Sequence, residues 1–369
     1  MDIRYVAPCF DSSGYSEAAR NNIVALTRAG INVLPSPISF EKYYANLGEK
    51  GALISDLIEK NKLLYPKIQI IHCTPENYSQ YIQKSVYNIG YAAWETSKLP
   101  THWAKHINLL NEIWVPSTYN VKVFRDSGVT IPITLIPHTF TEEANTVAPV
   151  IRKINNEYIF YSIFQWLERK NPIGLLKAYL TEFTAADNVV LILKTFQFSH
   201  NNSIEVERIK ETIKGIKDKL YLPSYPRVLL ITDLLTSSQM KGLHQSGDCY
   251  VHLHRSEGFG IPVAEAMLEG KPVITTNYGG VTDFVTDLDT GYLVGSTEIP
   301  VYGMPWPIYT GDMIWAEPDV LHAKKVMREV FSNQEAAVAV GARGKQYILN
   351  NLSFEKVGQL MKDRLEKIA

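Results

Sequence analysis

The 369-residue chain has little cysteine, no excess of basic charge and no long apolar run, and each shortage argues against a class of protein. Cys9, Cys73 and Cys249 are far apart, which predicts buried thiols in a reducing compartment rather than a disulfide framework or a zinc site. A formal net charge of -1 argues against a nucleic-acid partner. No stretch approaches the roughly 20 apolar residues of a membrane-spanning helix. The opening apolar run is broken at Pro8, so it predicts a first strand rather than a signal sequence. We therefore expect a cytoplasmic protein.

Strand-like and helix-like segments alternate nearly throughout the chain, a pattern typical of parallel sheets covered by helices on both faces. The first series of candidate strands comprises residues 3–6, 31–34, 68–71, 87–91, 112–115 and 133–136. The second series comprises residues 158–163, 189–193, 228–231, 249–252 and 273–275. A helix is predicted from Tyr15 to Ala29, because its apolar residues recur at helical spacing and Gly30 follows its end.

A polar, proline-containing run at residues 139–156 separates the two series and predicts a domain boundary. The predicted α/β domains are residues 1–148 and 149–352, and the chain is long enough for each to bury its own core. Residues 353–369 form an amphipathic closing segment that predicts a helix.

The most informative segment is Ser256–Ala266, where two carboxylates, Glu257 and Glu265, flank a glycine loop that leads into a helix. Pro262 suits the first turn of that helix and Gly270 suits a left-handed residue after its end. Loop amides and the positive end of the helix dipole favour an anion, while carboxylates accept hydrogen bonds from sugar hydroxyls. The segment therefore predicts a binding site for an activated sugar.

Other interpretations of this segment stay open. Gly258, Phe259 and Gly260, which we expect to contact the donor, could instead begin a dinucleotide fingerprint, although Val263 stands where its third glycine belongs. That alternative predicts a nicotinamide-dependent oxidoreductase. Glu265 could simply complement the helix N-terminus.

The run from Asp248 to Val294 resembles the signature of the family 4 retaining glycosyltransferases, which have the GT-B fold. Their Glu-x7-Glu motif matches Glu257 and Glu265. The usual continuation is matched by Lys271-Pro272-Val273-Ile274, Gly279-Gly280 and Thr290-Gly291-Tyr292-Leu293-Val294. The resemblance implies an α/β protein with two Rossmann-like domains facing across a cleft. It also implies that Glu257 contacts the donor sugar and Glu265 the ribose of its nucleotide.

The activity implied by the resemblance is retaining transfer of a hexose from a UDP, GDP or dTDP sugar to a hydroxyl of a glycan or lipid-linked saccharide, without a metal or other cofactor. A lipid-linked acceptor would bring the protein to the inner face of a membrane as a peripheral protein. The alternative from a different class is a catalytically silent subunit that binds a sugar nucleotide or glycan.

Two cations, Arg169 and Lys170, resemble the pair that family members bring to the donor diphosphate, where fixed positive charge stabilises the leaving group. Gln165 stands where the family usually has its arginine, so we expect Arg169 to supply that charge. The alternative is a solvated pair on an exposed loop. Lys194 is a further donor-binding candidate, near the base.

Three residues of the first series are candidates for binding. Gly14, in the loop after the first strand, matches the glycine that lets the main chain approach the diphosphate, although a steric need in the turn would explain it equally well. His72, at a strand end, and Glu95 are acceptor-side candidates. A packed strand-end histidine is the alternative for His72.

Some apparent motifs do not predict chemistry. The Asp287-Leu288-Asp289 sequence resembles a metal-binding pattern but occurs in a turn, and His252 with His254 is weak evidence for zinc. We expect no metal. The aromatic-rich segment 300–315 lies outside the family pattern, and it predicts either an aromatic lip for an acceptor sugar or a packed insertion.

Overall fold

A computed structural model describes residues 1–11, 13–39, 48–142, 147–200 and 202–369. Contacts divide the chain into two compact units: Met1–Glu143 with Ile348–Ala369, and Ala144–Tyr347. Ser12 of the first glycine loop and residues 143–146 of the predicted boundary lie outside the described residues.

The first unit is built on a six-stranded sheet in which every pairing is parallel. Its strands are β1 (Asp2–Pro8), β2 (Asn32–Ile38), β3 (Ile68–His72), β4 (Tyr87–Tyr91), β5 (Glu112–Val115) and β6 (Ile133–Leu135). Its first four helices are α1 (Gly14–Arg28), α2 (Gly48–Asn61), α3 (Trp103–Ile107) and α4 (Thr118–Asp126). The order β2-β1-β3-β4-β5-β6 reverses direction between β1 and β3. The carboxyl ends of these two strands therefore form a topological switch point, the usual ligand position in such sheets.

The second unit holds another six-stranded parallel sheet. Its strands are β7 (Tyr158–Gln165), β8 (Val189–Phe196), β9 (Arg227–Ile231), β10 (Cys249–His252), β11 (Val273–Thr276) and β12 (Tyr292–Val294). Its helices are α5 (Pro172–Glu182), α6 (Ser203–Leu220), α7 (Ser237–Ser246), α8 (Ile261–Leu268), α9 (Val320–Ser332) and α10 (Gln334–Asn351), the last of which continues into the first unit. The order β12-β11-β10-β7-β8-β9 is that of a dinucleotide-binding sheet, with its switch point between β7 and β10.

A short antiparallel hairpin interrupts this pattern. Strands β13 (Ser296–Pro300) and β14 (Ile314–Pro318) pair only with each other among the described residues. The predicted strands all correspond to observed ones, whereas the sequence pattern predicts no strand at β12, β13 or β14. These strands are three to five residues long, and both strands of the hairpin end in proline, so the strand pattern is weak there.

The last helix, α11 (Phe354–Glu366), belongs to the first unit. Gly358 lies so close to α1 that a Cβ atom there would be 2.5 Å from the Ala25 carbonyl oxygen. At the far end, Arg364 donates two hydrogen bonds to Glu112, a fully buried carboxylate on β5. This pairing compensates the buried charge and attaches α11 to the first sheet. Among the described residues, no helix has the length and apolar character needed to span a membrane.

Candidate functional site

The loops after β7 and β10 meet at the switch point of the second sheet. Strand β7 leads into a 3-10 turn at Glu168–Lys170, and β10 leads into the glycine loop that begins at Ser256. The two strands are neighbours, and the Arg255 amide donates to the Arg169 carbonyl at 2.8 Å. Side chains that are about ninety residues apart in the chain are thereby brought together.

Glu257 is the centre of this junction and is only 6% exposed. Lys170 Nζ donates to Glu257 Oε1, and Arg169 Nη1 lies 3.2 Å from Glu257 Oε2. The same Arg169 nitrogen donates to the Ser256 carbonyl at 2.9 Å. The Arg169 and Lys170 side chains are 11% and 14% exposed, so the alternative of a solvated surface pair is wrong. Two cations and one carboxylate leave one positive formal charge, which suits an anionic ligand.

The ionisation of Glu257 follows from these neighbours. Burial alone would raise the pKa of its carboxyl, but the charges of Lys170 and Arg169 and a hydrogen bond from His252 outweigh burial and hold that pKa well below its usual range. Glu257 is therefore ionised at neutral pH.

His252, which the sequence pattern does not predict as a site residue, is the third partner of Glu257. Its Nε2 atom lies 2.8 Å from Glu257 Oε1, and the ring is buried. Burial lowers the pKa of His252, so the ring is neutral near pH 7 and must carry its proton on Nε2 in order to donate to a carboxylate. Burial also holds the pKa of His254 well below its usual range. The position of His252, five residues before Glu257 and at the end of the preceding strand, is the sequence signal that could have identified it.

The glycine loop has the local geometry that the sequence predicts. Gly260 precedes α8 with φ of 100°, and Gly270 follows that helix with φ of 72°. Both conformations favour glycine. The helix begins at Ile261, so Pro262 lies in its first turn, as the sequence predicts.

The Gly279-Gly280 pair packs directly against the backbone of this loop. The Gly280 amide donates to the Glu257 carbonyl at 2.8 Å. A Cβ atom at Gly280 would lie 2.2 Å from the Gly258 carbonyl oxygen, and one at Gly279 would lie 2.6 Å from that of Glu257. Only glycine permits this close crossing of two main chains. It fixes the position of the Glu257 backbone.

The other donor-side candidates differ in exposure. The Phe259 ring is buried against Phe284, with centroids 5.0 Å apart, so the ring itself belongs to the core. The Glu265 side chain is 31% exposed, with Oε2 3.9 Å from His244 Nε2. Burial raises the pKa of Tyr250, and the charges of both Glu257 and Glu265 raise it further. Both carboxylates therefore lie near enough to Tyr250 to raise the pKa of its hydroxyl.

Lys194 lies near the carboxyl end of β8 and is 5% exposed. Burial lowers the pKa of its ammonium group to about 8, although the nearby Asp233 carboxylate opposes that shift. Its Nζ atom lies 5.7 Å from the centroid of the Phe196 ring. Burial of a cation is destabilising unless opposite charge compensates it.

In the first unit, Gly14 opens α1 at the switch point. Its φ is not positive, and among the described residues nothing lies within 4 Å of a Cβ atom added there. Neither backbone conformation nor crowding by those residues therefore requires glycine at this position.

His72 and Glu95 differ in accessibility. His72 is 1% exposed, its Nδ1 lies 2.9 Å from the Tyr5 hydroxyl, and its ring packs 4.3 Å from that of Tyr91. The alternative of a packed strand-end histidine fits these surroundings. Glu95 is half-buried, and its carbonyl accepts a hydrogen bond from the Tyr119 hydroxyl.

The turn at Asp287–Asp289 is bound internally. Asp287 accepts from the Leu293 amide at 3.0 Å, and Asp289 pairs with Arg343 at 3.3 Å. Within the part of the chain that the structure describes, no three His, Cys, Asp or Glu side chains gather in a way that could hold a metal ion.

The two sheets and their helices define a GT-B fold, and solved structures share it across the whole chain. Sucrose-phosphate synthase from Thermosynechococcus elongatus superimposes with a TM-score of 0.70 at 13% identity, covering 100% of this chain and 99% of that one. HepE of Anabaena, solved in complex with UDP-glucose, superimposes with a TM-score of 0.65 at 12% identity over 100% of both chains.

At the level of sequence, residues 229–300 match the family model "Glycosyl transferases group 1". The chain is also similar to alpha-1,3/1,6-mannosyltransferase ALG2 of Dictyostelium discoideum, 22% identical over 244 residues that make up 63% of this chain. The match spans about half of that relative, 51% of its length.

Proposed function

We propose that this chain is a family 4 retaining glycosyltransferase that moves a sugar from a nucleoside-diphosphate sugar to a hydroxyl of a glycan or lipid-linked saccharide. The observation that carries the proposal is the buried cluster of Glu257, Lys170 and Arg169 at the switch point of the second sheet. The match of residues 229–300 to a glycosyltransferase model supports it, as do the UDP-sugar complex of one structural relative and the mannosyltransferase similarity.

The chemistry of the transfer follows from charge. Breaking the glycosidic bond leaves a nucleoside diphosphate whose negative charge grows in the transition state. Lys170 and Arg169 stabilise that charge, and the loop at Gly258–Gly260 brings the diphosphate to the start of α8, where the positive end of the helix dipole favours an anion. An ammonium group has three N–H donors and a guanidinium five, so each cation can bind a carboxylate and a phosphate together.

The other candidates take the remaining roles. Glu257 orients the transferred sugar through its hydroxyls, and Glu265, the more exposed carboxylate, binds the ribose. Lys194 contributes to donor binding near the base, and Gly14 admits the diphosphate. Glu95 lies on the acceptor side. His72 would contact an acceptor only if its buried ring became accessible. We propose that the transfer needs no metal. We also propose that it occurs in the cytoplasm, since all three cysteines are free thiols.

A donor panel tests the proposal. The full chain is incubated with UDP, GDP and dTDP sugars, and release of nucleoside diphosphate is measured with and without EDTA. We expect release from one donor class, unaffected by EDTA, and at least a hundredfold loss in Glu257→Gln. Proton NMR of the product reports the anomeric configuration. Tight donor binding with no turnover on any saccharide acceptor would favour the silent-subunit alternative, and nicotinamide binding would favour an oxidoreductase.

A further inference from the structure

Exposed aromatic rings gather on the second unit beside the site. Phe198 follows β8 and is 55% exposed, and Tyr302 and Trp306, on the loop between β13 and β14, are 82% and 39% exposed. All six tryptophans fall within the described residues, and Trp306 is the most accessible of them. Large rings left in water at one place are a mark of a binding surface.

Two of these rings meet from different segments of the chain. The Phe198 and Trp306 centroids are 6.5 Å apart with planes at 87°, and Trp306 also lies 6.4 Å from Tyr309. The perpendicular pair cannot hold a flat base between parallel rings, but each ring presents an open face. The apolar C–H face of a sugar packs on such single rings.

The loop between β13 and β14 contacts the segment that carries Arg169. A Cβ atom at Gly303 would lie 2.6 Å from Glu168 Cγ, so the main chain there touches the residue next to Arg169. Arg255 ties the base of the hairpin to the same place: it donates to the Glu168 carbonyl and to Glu317 on β14. The Arg255 guanidinium also lies 5.6 Å from the centroid of the buried Trp315 ring. The loop is thus held against the segment that carries the catalytic cations.

Two polar side chains lie on the same loop as Trp306. Thr310 and Asp312, both exposed, are joined by a hydrogen bond of 2.5 Å. Rings for the sugar face, with hydroxyl and carboxylate groups for its hydroxyls, are the usual components of a saccharide site.

We propose that Phe198 and Trp306 form an aromatic platform that binds a sugar unit of the glycan acceptor, outside the reacting position. The identification of the bound sugar as part of an acceptor rests on the proposed glycosyl transfer, whereas saccharide binding itself does not require turnover. Of the two interpretations of segment 300–315, it favours the aromatic lip, with Trp315 as the buried anchor of that lip.

Saturation-transfer NMR on the full chain tests the platform with maltohexaose, mannohexaose and chitohexaose as probes, and calorimetry measures UDP affinity. We expect at least one hexasaccharide to bind, a tenfold or greater increase in its Kd in Trp306→Ala and Phe198→Ala, and recovery in Trp306→Phe. Tyr65→Ala removes a ring of the first unit that is 89% exposed, more than either platform ring, and should leave the Kd unchanged.

Three results would overturn the platform: no binding of any probe, binding that survives both alanine variants, or a loss of UDP affinity in Trp306→Ala, which would mean that the rings stack a nucleobase. Thermal unfolding of each variant checks that the fold is intact. Saccharide binding without any nucleotide-sugar turnover would instead reject the proposed transfer and leave the platform standing.

Discussion

His252 Nε2 lies 2.8 Å from Glu257 Oε1, and this contact joins the last residue of β10 to the buried carboxylate of the glycine loop. The histidine is neutral because burial lowers its pKa, so it holds Glu257 by a hydrogen bond rather than as a third cation. The formal charges of Lys170, Arg169 and Glu257 therefore sum to one positive charge.

Loss of this hydrogen bond should lower kcat. We expect His252→Leu to reduce kcat about 10- to 100-fold with a smaller change in donor KM, because a bond to a charged group is worth roughly 1.5–3 kcal/mol. His252→Gln keeps an N–H donor and should recover part of the loss. Steady-state kinetics of both variants check this. Equal impairment of the two would point to packing rather than to the hydrogen bond.

Glu257 and Glu265 should respond differently to removal of charge. Glu257→Ala leaves Lys170 and Arg169 buried without their carboxylate, so we expect it to lower the free energy of unfolding by about 3–5 kcal/mol as well as to abolish transfer. Glu257→Gln keeps the shape, and it is the better test of chemistry. Urea denaturation measures the first effect.

Glu265→Gln is the matched control for that experiment. Its side chain is 31% exposed, so we expect unchanged stability and a raised donor KM at nearly constant kcat, the pattern of lost ground-state binding. A kcat loss as large as that of Glu257→Gln would mean that the two roles are wrongly assigned.

Lys194→Met should make the protein more stable while weakening donor binding. The pKa of Lys194 falls from 10.5 to about 8 on folding. At pH 7 this shift lowers the free energy of unfolding by about 3 kcal/mol. Because the unfolded chain binds this proton more tightly, the stability of wild type relative to Lys194→Met should increase as pH rises from about 8 to 10.5.

Urea denaturation at pH 7 and pH 9.5 measures the difference between wild type and Lys194→Met, and titration with the active nucleotide measures donor affinity. A variant less stable than wild type at pH 7 would show that Lys194 is paired in the folded protein, and would contradict the prediction. Unchanged nucleotide affinity would remove Lys194 from the donor site.

Alanine substitutions at two glycines distinguish a glycine that packing requires from one proposed to admit a ligand. Gly280→Ala places a Cβ atom against the Gly258 carbonyl, so we expect a loss of at least about 2 kcal/mol in stability along with activity. Gly14→Ala meets no described residue within 4 Å, so stability should be kept while donor KM rises. Thermal unfolding and kinetics separate the two. Wild-type kinetics in Gly14→Ala would leave Gly14 without a role in binding.

Much of the fold could be predicted because its signals are local. Buried strands such as β4 and β5 stand out as apolar runs, and both match their predicted bounds. Gly270 takes the left-handed conformation expected from its place after α8. The β13–β14 hairpin could not be assigned, since its short strands carry prolines and pair with each other rather than with the main sheet.

The sequence by itself determined two α/β units and a glycine loop that carries Glu257 into a helix, because strand runs, helix periodicity and turn residues act over a few neighbouring positions. Only the tertiary structure decided that Lys170 and Arg169 bind Glu257, 87 and 88 residues further along the chain, and that His252 completes the cluster. That outcome depends on β10 pairing with β7, and strand order is set by the packing of the whole sheet rather than by any local pattern.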